Sequence, residues 1–112
     1  MKPPVLNRSL VLEGPVQIAD GAGGYTRDWR PLGVIWAELK AGSGRETAAF
    51  AATVSRVRYR ITVRAAPFGA PSRPQAGQRF RDGARVFNIL AVAEKDARAW
   101  FLTCHAEEEV AS

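Results

Sequence analysis

Few residues here could do covalent chemistry, and their spacing works against it. Nucleophilic catalysis needs a Ser, Cys or Thr beside a base that takes its proton. The sequence has one cysteine, Cys104, and one histidine, His105. They are adjacent, and neighbours along a strand point to opposite faces, so no Cys-His dyad is expected. One thiol and one imidazole make neither a disulfide nor a zinc site. Cys104 reads as a small buried hydrophobe within Trp100-Phe101-Leu102-Thr103-Cys104-His105. Asp20-Gly21-Ala22-Gly23-Gly24 is glycine-rich, but it lacks the Lys-Ser/Thr of a P-loop and the spacing of a dinucleotide fingerprint. It reads as a turn. No catalytic, cofactor-binding or metal-ligating set is expected, and the chain is not expected to be an enzyme.

Charge is the more informative chemistry. Lys and Arg number 16 against 11 Asp and Glu, a formal charge of +5. Three of the acids are consecutive, Glu107-Glu108-Glu109, so the rest of the chain is more basic still. Arg outnumbers Lys, and its planar fork suits contacts with carboxylates and phosphates. A basic body implies an acidic partner, nucleic acid or another protein. Arg56, Arg58, Arg60 and Arg64 alternate with Val57, Tyr59, Ile61 and Val63. On one strand they form a stripe about 26 Å long at about 3.3 Å per residue. Either the stripe is a solvated face or it touches a neighbour's acids or a DNA backbone. The interleaved residues look like core, which disfavours a base-stacking module. Glu107 to Glu109 reads as a solvated tail or as a segment that docks onto a basic neighbour.

The elements that must carry these residues are strands. Period two runs through Arg56 to Arg64 and through Arg8 to Ile18, with a bulge or bend expected at Gly14-Pro15. Tyr25 to Lys40 gives a strand pair or one long bent strand, broken near Arg30 to Gly33. Ala41 to Ala52 is a flexible loop or a short helical turn. Ala66 to Gly77 carries three prolines and two glycines, which excludes a regular helix. Gln78 to Phe87 forms a hairpin around Asp82-Gly83, its second strand running on to Val92. Ala99 to Ala106 is the last strand. About six strands joined by Gly/Pro turns predict an all-β fold, a small antiparallel barrel or sandwich with long loops, as one domain over residues 1–112. No apolar stretch reaches the roughly 20 residues needed to span a bilayer, and Met1 to Val5 carries no secretion signal. The expected setting is the bacterial cytoplasm, with no membrane partner.

Several segments, taken in order, resemble the phage head-tail joining proteins, also called head-closure or stopper proteins, including those of gene transfer agents. They are Leu6 to Glu13, Asp20 to Thr26, Trp29, Pro31-Leu32-Gly33, Trp36 to Leu39, Gly44-Arg45-Glu46, Arg60 to Arg64, Gln78-Arg79-Phe80, Arg85 to Ile89, Val92, and Trp100 to Cys104. Tyr59 departs from the pattern, since many relatives would carry His there.

The resemblance implies a small β-barrel assembled as a homo-oligomeric ring of six or twelve copies. It implies an adaptor or portal ring above, a tail terminator or tail proteins below, and double-stranded DNA passing through the channel. The ring would join head to tail and retain packaged DNA in the neck of the particle. A loop between early strands would gate the lumen, here Ala41 to Thr53 with Gly42, Ser43, Gly44, Arg45, Glu46 and Phe50. In such a ring Arg56, Arg58, Arg60, Arg64, Arg79, Arg81 and Arg85, with Glu107, Glu108 and Glu109, are the interface candidates. A lone nucleic-acid-binding barrel and a different neck protein, such as a tail terminator, are the alternatives.

Overall fold

The computed structural model describes residues 3–42 and 57–109. Six strands follow in chain order: β1 (Arg8–Ala19), β2 (Tyr25–Ala41), β3 (Arg58–Arg64), β4 (Arg79–Asp82), β5 (Arg85–Glu94) and β6 (Phe101–Glu108). They close into a barrel in the order β1-β2-β3-β6-β5-β4, with every neighbouring pair antiparallel. The closing seam pairs Val11, Leu12 and Glu13 of β1 with Arg81, Phe80 and Arg79 of β4. Closure removes the unpaired edges that an open sheet of this size would expose.

Alternation fills the interior. Leu10 and Leu12, Ala37, Ile61 and Val63, Phe80, Phe87 and Ile89, and Leu102, Cys104 and Ala106 form one buried cluster. Tyr59 packs on it edge-on against Phe87, with ring centroids 5.2 Å apart. Phe80 and Phe87 are the largest fully buried side chains, and truncating either to Ala should cost about 3–5 kcal/mol. Gly83, at φ +62°, opens the two-residue connection between Asp82 and Arg85, where glycine tolerates the left-handed backbone.

Tyr25 to Lys40 resolves into one strand, not a pair. The irregularity expected at Gly14-Pro15 lies two residues earlier, between Leu12 and Glu13, and the extra residue sits on β2. Leu12 pairs with Gly33 and Glu13 with Pro31, which leaves Leu32 as the bulge. A Cβ on Gly14 would stand 3.2 Å from Leu32 Cδ1, so the glycine makes room for the bulged leucine. Beyond Glu13, β1 runs past its seam with β4 and pairs with β2 as a two-stranded arm, Gly14–Ala19 against Tyr25–Arg30. Asp20 Oδ1 accepts from the amides of Ala22 (2.8 Å) and Gly24 (3.0 Å) at its tip.

The connection from β3 to β4 contains turns and no helix, as its prolines require. Arg73 holds it, donating to the Ala66 carbonyl at 2.8 Å and stacking 3.8 Å from the Phe68 ring. Glu107 to Glu109 is not a tail. β6 runs through Glu108, and the Glu109 amide donates to the Val86 carbonyl at 2.8 Å. A solvated tail is what three like charges suggest, but Arg85 and Asn88 on β5 hold Glu108 and Glu109 in the fold.

Candidate functional site

Two outward faces and the arm carry the polar and exposed apolar chemistry. On β3, Arg58, Arg60 and Arg64 are exposed while Ile61 and Val63 are buried, as the alternation predicts; Thr62, on the arginine side, departs from it and is buried. Arg64 leans over the Phe101 ring at 5.8 Å. Arg56 lies outside the described residues, as do Ser43, Gly44, Arg45, Glu46 and Phe50. Gly42 is described; its amide donates to the Arg58 carbonyl at 2.7 Å, at the foot of β2 and β3.

The arginines around the β4–β5 hairpin are engaged within the chain. Arg79 Nε donates to Glu13 Oε1 at 2.7 Å, and Arg81 approaches the other oxygen at 3.7 Å. The Arg79 guanidinium also lies 4.2 Å from the centre of the Trp29 ring, at the root of the arm. Arg85 makes two hydrogen bonds to Glu108, at 2.8 and 3.2 Å, and one to the Tyr59 hydroxyl at 3.2 Å. The Glu108 hydrogen bond raises the Arg85 pKa and burial opposes it. Glu109 accepts from Asn88 at 3.0 Å. Glu107 stands across the ladder from Arg58 on one side and Asn88 on the other. The acidic run is thus built into the barrel wall.

Register exposes a row that the sequence alone did not reveal. Lys40 pairs with Arg60 and Arg60 with His105, so three basic side chains lie abreast on the outer face of β2, β3 and β6. In the next row Thr62 stands beside Thr103. Lys40 and His105 were missed because cross-strand neighbours follow from strand order, which no local pattern gives.

The opposite wall is apolar. Val34, Val11, Arg81 and Val86 lie abreast across β2, β1, β4 and β5. Val34 is 64% exposed and the nearby Trp36 57% exposed, unusual for large apolar residues on a barrel wall. Trp100 is exposed on the β5–β6 side and Tyr25 near the arm tip.

Cys104 and His105 point apart, as expected. Cys104 is fully buried and His105 exposed. Burial pushes the Cys104 thiol up to about 12, so it is protonated and unreactive at neutral pH. Among the described residues no group of three metal-ligating side chains converges, and no helix is long and apolar enough to cross a membrane.

Comparison with known proteins agrees with this architecture. A family model described as phage head completion protein matches residues 1–109. A chain from the virion of a native gene transfer agent particle is 50% identical, with a TM-score of 0.80, over 98% of this chain and 100% of that one. The solution structure of protein SF1141 from Shigella flexneri 2a superposes with a TM-score of 0.69 at 22% identity, over the full length of both chains, and shares the fold. No curated protein matches.

Proposed function

The chain belongs to the phage head completion protein family, a family of non-enzymatic structural proteins, and from that premise we propose that it forms the head-closure ring of the neck in a tailed phage or gene transfer agent. In that role it sits between the portal or adaptor ring and the tail, joins the two, and retains packaged DNA. The observation that carries this reading is the 50% identity, over 98% of this chain and 100% of the other, with a chain from the virion of a gene transfer agent particle.

The surfaces fit a part that works in an assembly. The apolar row Val34-Val11-Arg81-Val86 with Trp36 has the composition of a protein interface core, aliphatic and aromatic with an arginine among it. The arm adds reach, since a two-stranded ribbon is at best marginally stable in water until something packs on it. A ring needs a head-to-tail contact in which two different surfaces of the same chain meet. Because Glu108 and Glu109 are engaged within the chain, that contact rests on the apolar wall and the arm, not on an acidic tail. Ala41 to Thr53 is the proposed lumen gate.

Nuclease protection tests the reading. Filled heads made without this chain should lose their DNA to added nuclease, and heads made with it should not. Equal protection in both would overturn it.

A further inference from the structure

The pairing of Lys40 with Arg60 is costly to the barrel as it stands. Neighbouring strands are about 4.8 Å apart, so the side chains of Lys40, Arg60 and His105 crowd into about 10 Å across the sheet. Like charges directly opposite one another destabilise a sheet. The chain does little to relieve this. Lys40 has a loose contact with Glu38 at 3.8 Å, and among the described residues neither Arg60 nor His105 has an acidic partner at ion-pair distance. The arrangement contrasts with Arg79 and Arg85, each tied to a glutamate at 2.7–2.8 Å.

The surroundings are shaped for an anion. Lys40, Arg60, Lys95 and His105 line a hollow of about 350 Å³, together with Thr62 and Thr103. These side chains carry the kinds of donor that the acceptor oxygens of a phosphodiester take. Glu94 is the one acid among the lining residues, against Lys40, Arg60 and Lys95. A second hollow of about 230 Å³ opens on the other side of Arg60 and His105 and reaches Gly42 and Arg58. The row is therefore the ridge between two depressions, open to a partner longer than a single ion.

We infer that this face, centred on Lys40, Arg60 and His105, is a contact site for the sugar-phosphate backbone of double-stranded DNA. Glu13, Asp82 and Glu108 are held by Arg79, Arg8 and Arg85, and Asp20 is turned into its own loop, so these four acids are already engaged within the chain. Exposed aromatic side chains for base stacking are missing from the Lys40-Arg60-His105 row, which fits backbone contact without sequence reading. The choice of a duplex over an acidic protein rests on the neck reading, in which packaged DNA passes this chain.

The test uses the full-length protein and a 25-base-pair duplex, titrated across salt from low ionic strength. About three phosphate contacts give a slope of log K against log salt near −3. Arg60→Gln and Lys40→Gln should each make the slope shallower by about 1, with the thermal midpoint no lower than that of the parent chain. Arg27→Gln on the arm and Arg98→Gln, which removes a cation stacked on Trp100, are the charge-matched controls. They should leave the slope close to that of the parent chain.

Absence of duplex binding at low salt, or equal losses in all four variants, would overturn the site. An acidic peptide that binds more tightly than the duplex, with the same dependence on Arg60, would make the face a protein-docking surface instead. Each of these failures leaves the neck reading standing, because that is decided by particles lacking the chain.

Discussion

Arg79 and Glu13 join the barrel to its arm: Arg79 Nε donates to Glu13 Oε1 at 2.7 Å across the β1–β4 seam. Their side chains are 15% and 6% exposed, and Trp29 covers the guanidinium from the arm side. Breaking a buried pair by removing one partner leaves the other charge uncompensated. Glu13→Ala should therefore cost about 3 kcal/mol. Arg81, half exposed and 3.7 Å from the same carboxylate, should cost no more than about 0.5 kcal/mol when changed to Ala. Thermal unfolding of the two variants checks this, and equal shifts would contradict it.

Arginines that hold the fold should separate from arginines that meet partners. Arg85→Ala removes the Glu108 and Tyr59 hydrogen bonds and should lower stability by about 1 kcal/mol, its partial exposure limiting the loss. Arg60→Ala should leave stability within about 0.5 kcal/mol. Charge reversal at Arg58 and Arg60 together should reduce the yield of joined particles. Denaturant unfolding and particle counts read the two effects independently; normal joining by the double variant would count against a role for β3 in contacts.

Cys104 supplies the pH dependence. Its folded pKa, about 12, lies above the ordinary value of 9.0 because burial penalises the thiolate. The raised value means that the folded state keeps its proton where the unfolded state loses it. The contribution to stability is complete below pH 9.0 and is lost as pH climbs toward about 12. Cys104→Ala should fall less steeply than the parent chain over that window. In the native protein at pH 8, Cys104 should resist a thiol reagent until denaturant is added, and prompt labelling would contradict the burial.

Deleting Gly42 to Ala51 tests the proposed gate. Most of this segment lies outside the described residues, and its glycines and alanines offer few anchoring side chains. Rings should still assemble and heads should still join tails, while filled heads lose DNA. Unchanged DNA retention would remove the segment from the closure mechanism.

Much of this architecture is legible in the sequence because alternation is a local signal. Arg58 to Arg64 declares which side of β3 is core, and Asp82-Gly83 marks the hairpin that joins β4 to β5. The opposed directions of Cys104 and His105 follow from the same period. What depends on strand order is not legible. Nothing near Arg79 shows that β4 returns to β1 and reaches Glu13. The bulge is ambiguous because Gly14-Pro15 and Pro31-Leu32-Gly33 both carry breaker residues, and packing of Leu32 over Gly14 decides between them. Glu107 to Glu109 looks like a solvated tail until Arg85 and Asn88 are placed on the adjoining strand. The Lys40-Arg60-His105 row joins residues from three distant parts of the chain.

The central claim is that this protein closes the head and joins it to the tail. Electron microscopy of particles from cells lacking the chain, with heads and tails counted separately, tests it most directly. Full-length tails beside unjoined heads that have lost their DNA are the predicted result, reversed when the chain is restored. Joined particles at normal yield would contradict the claim.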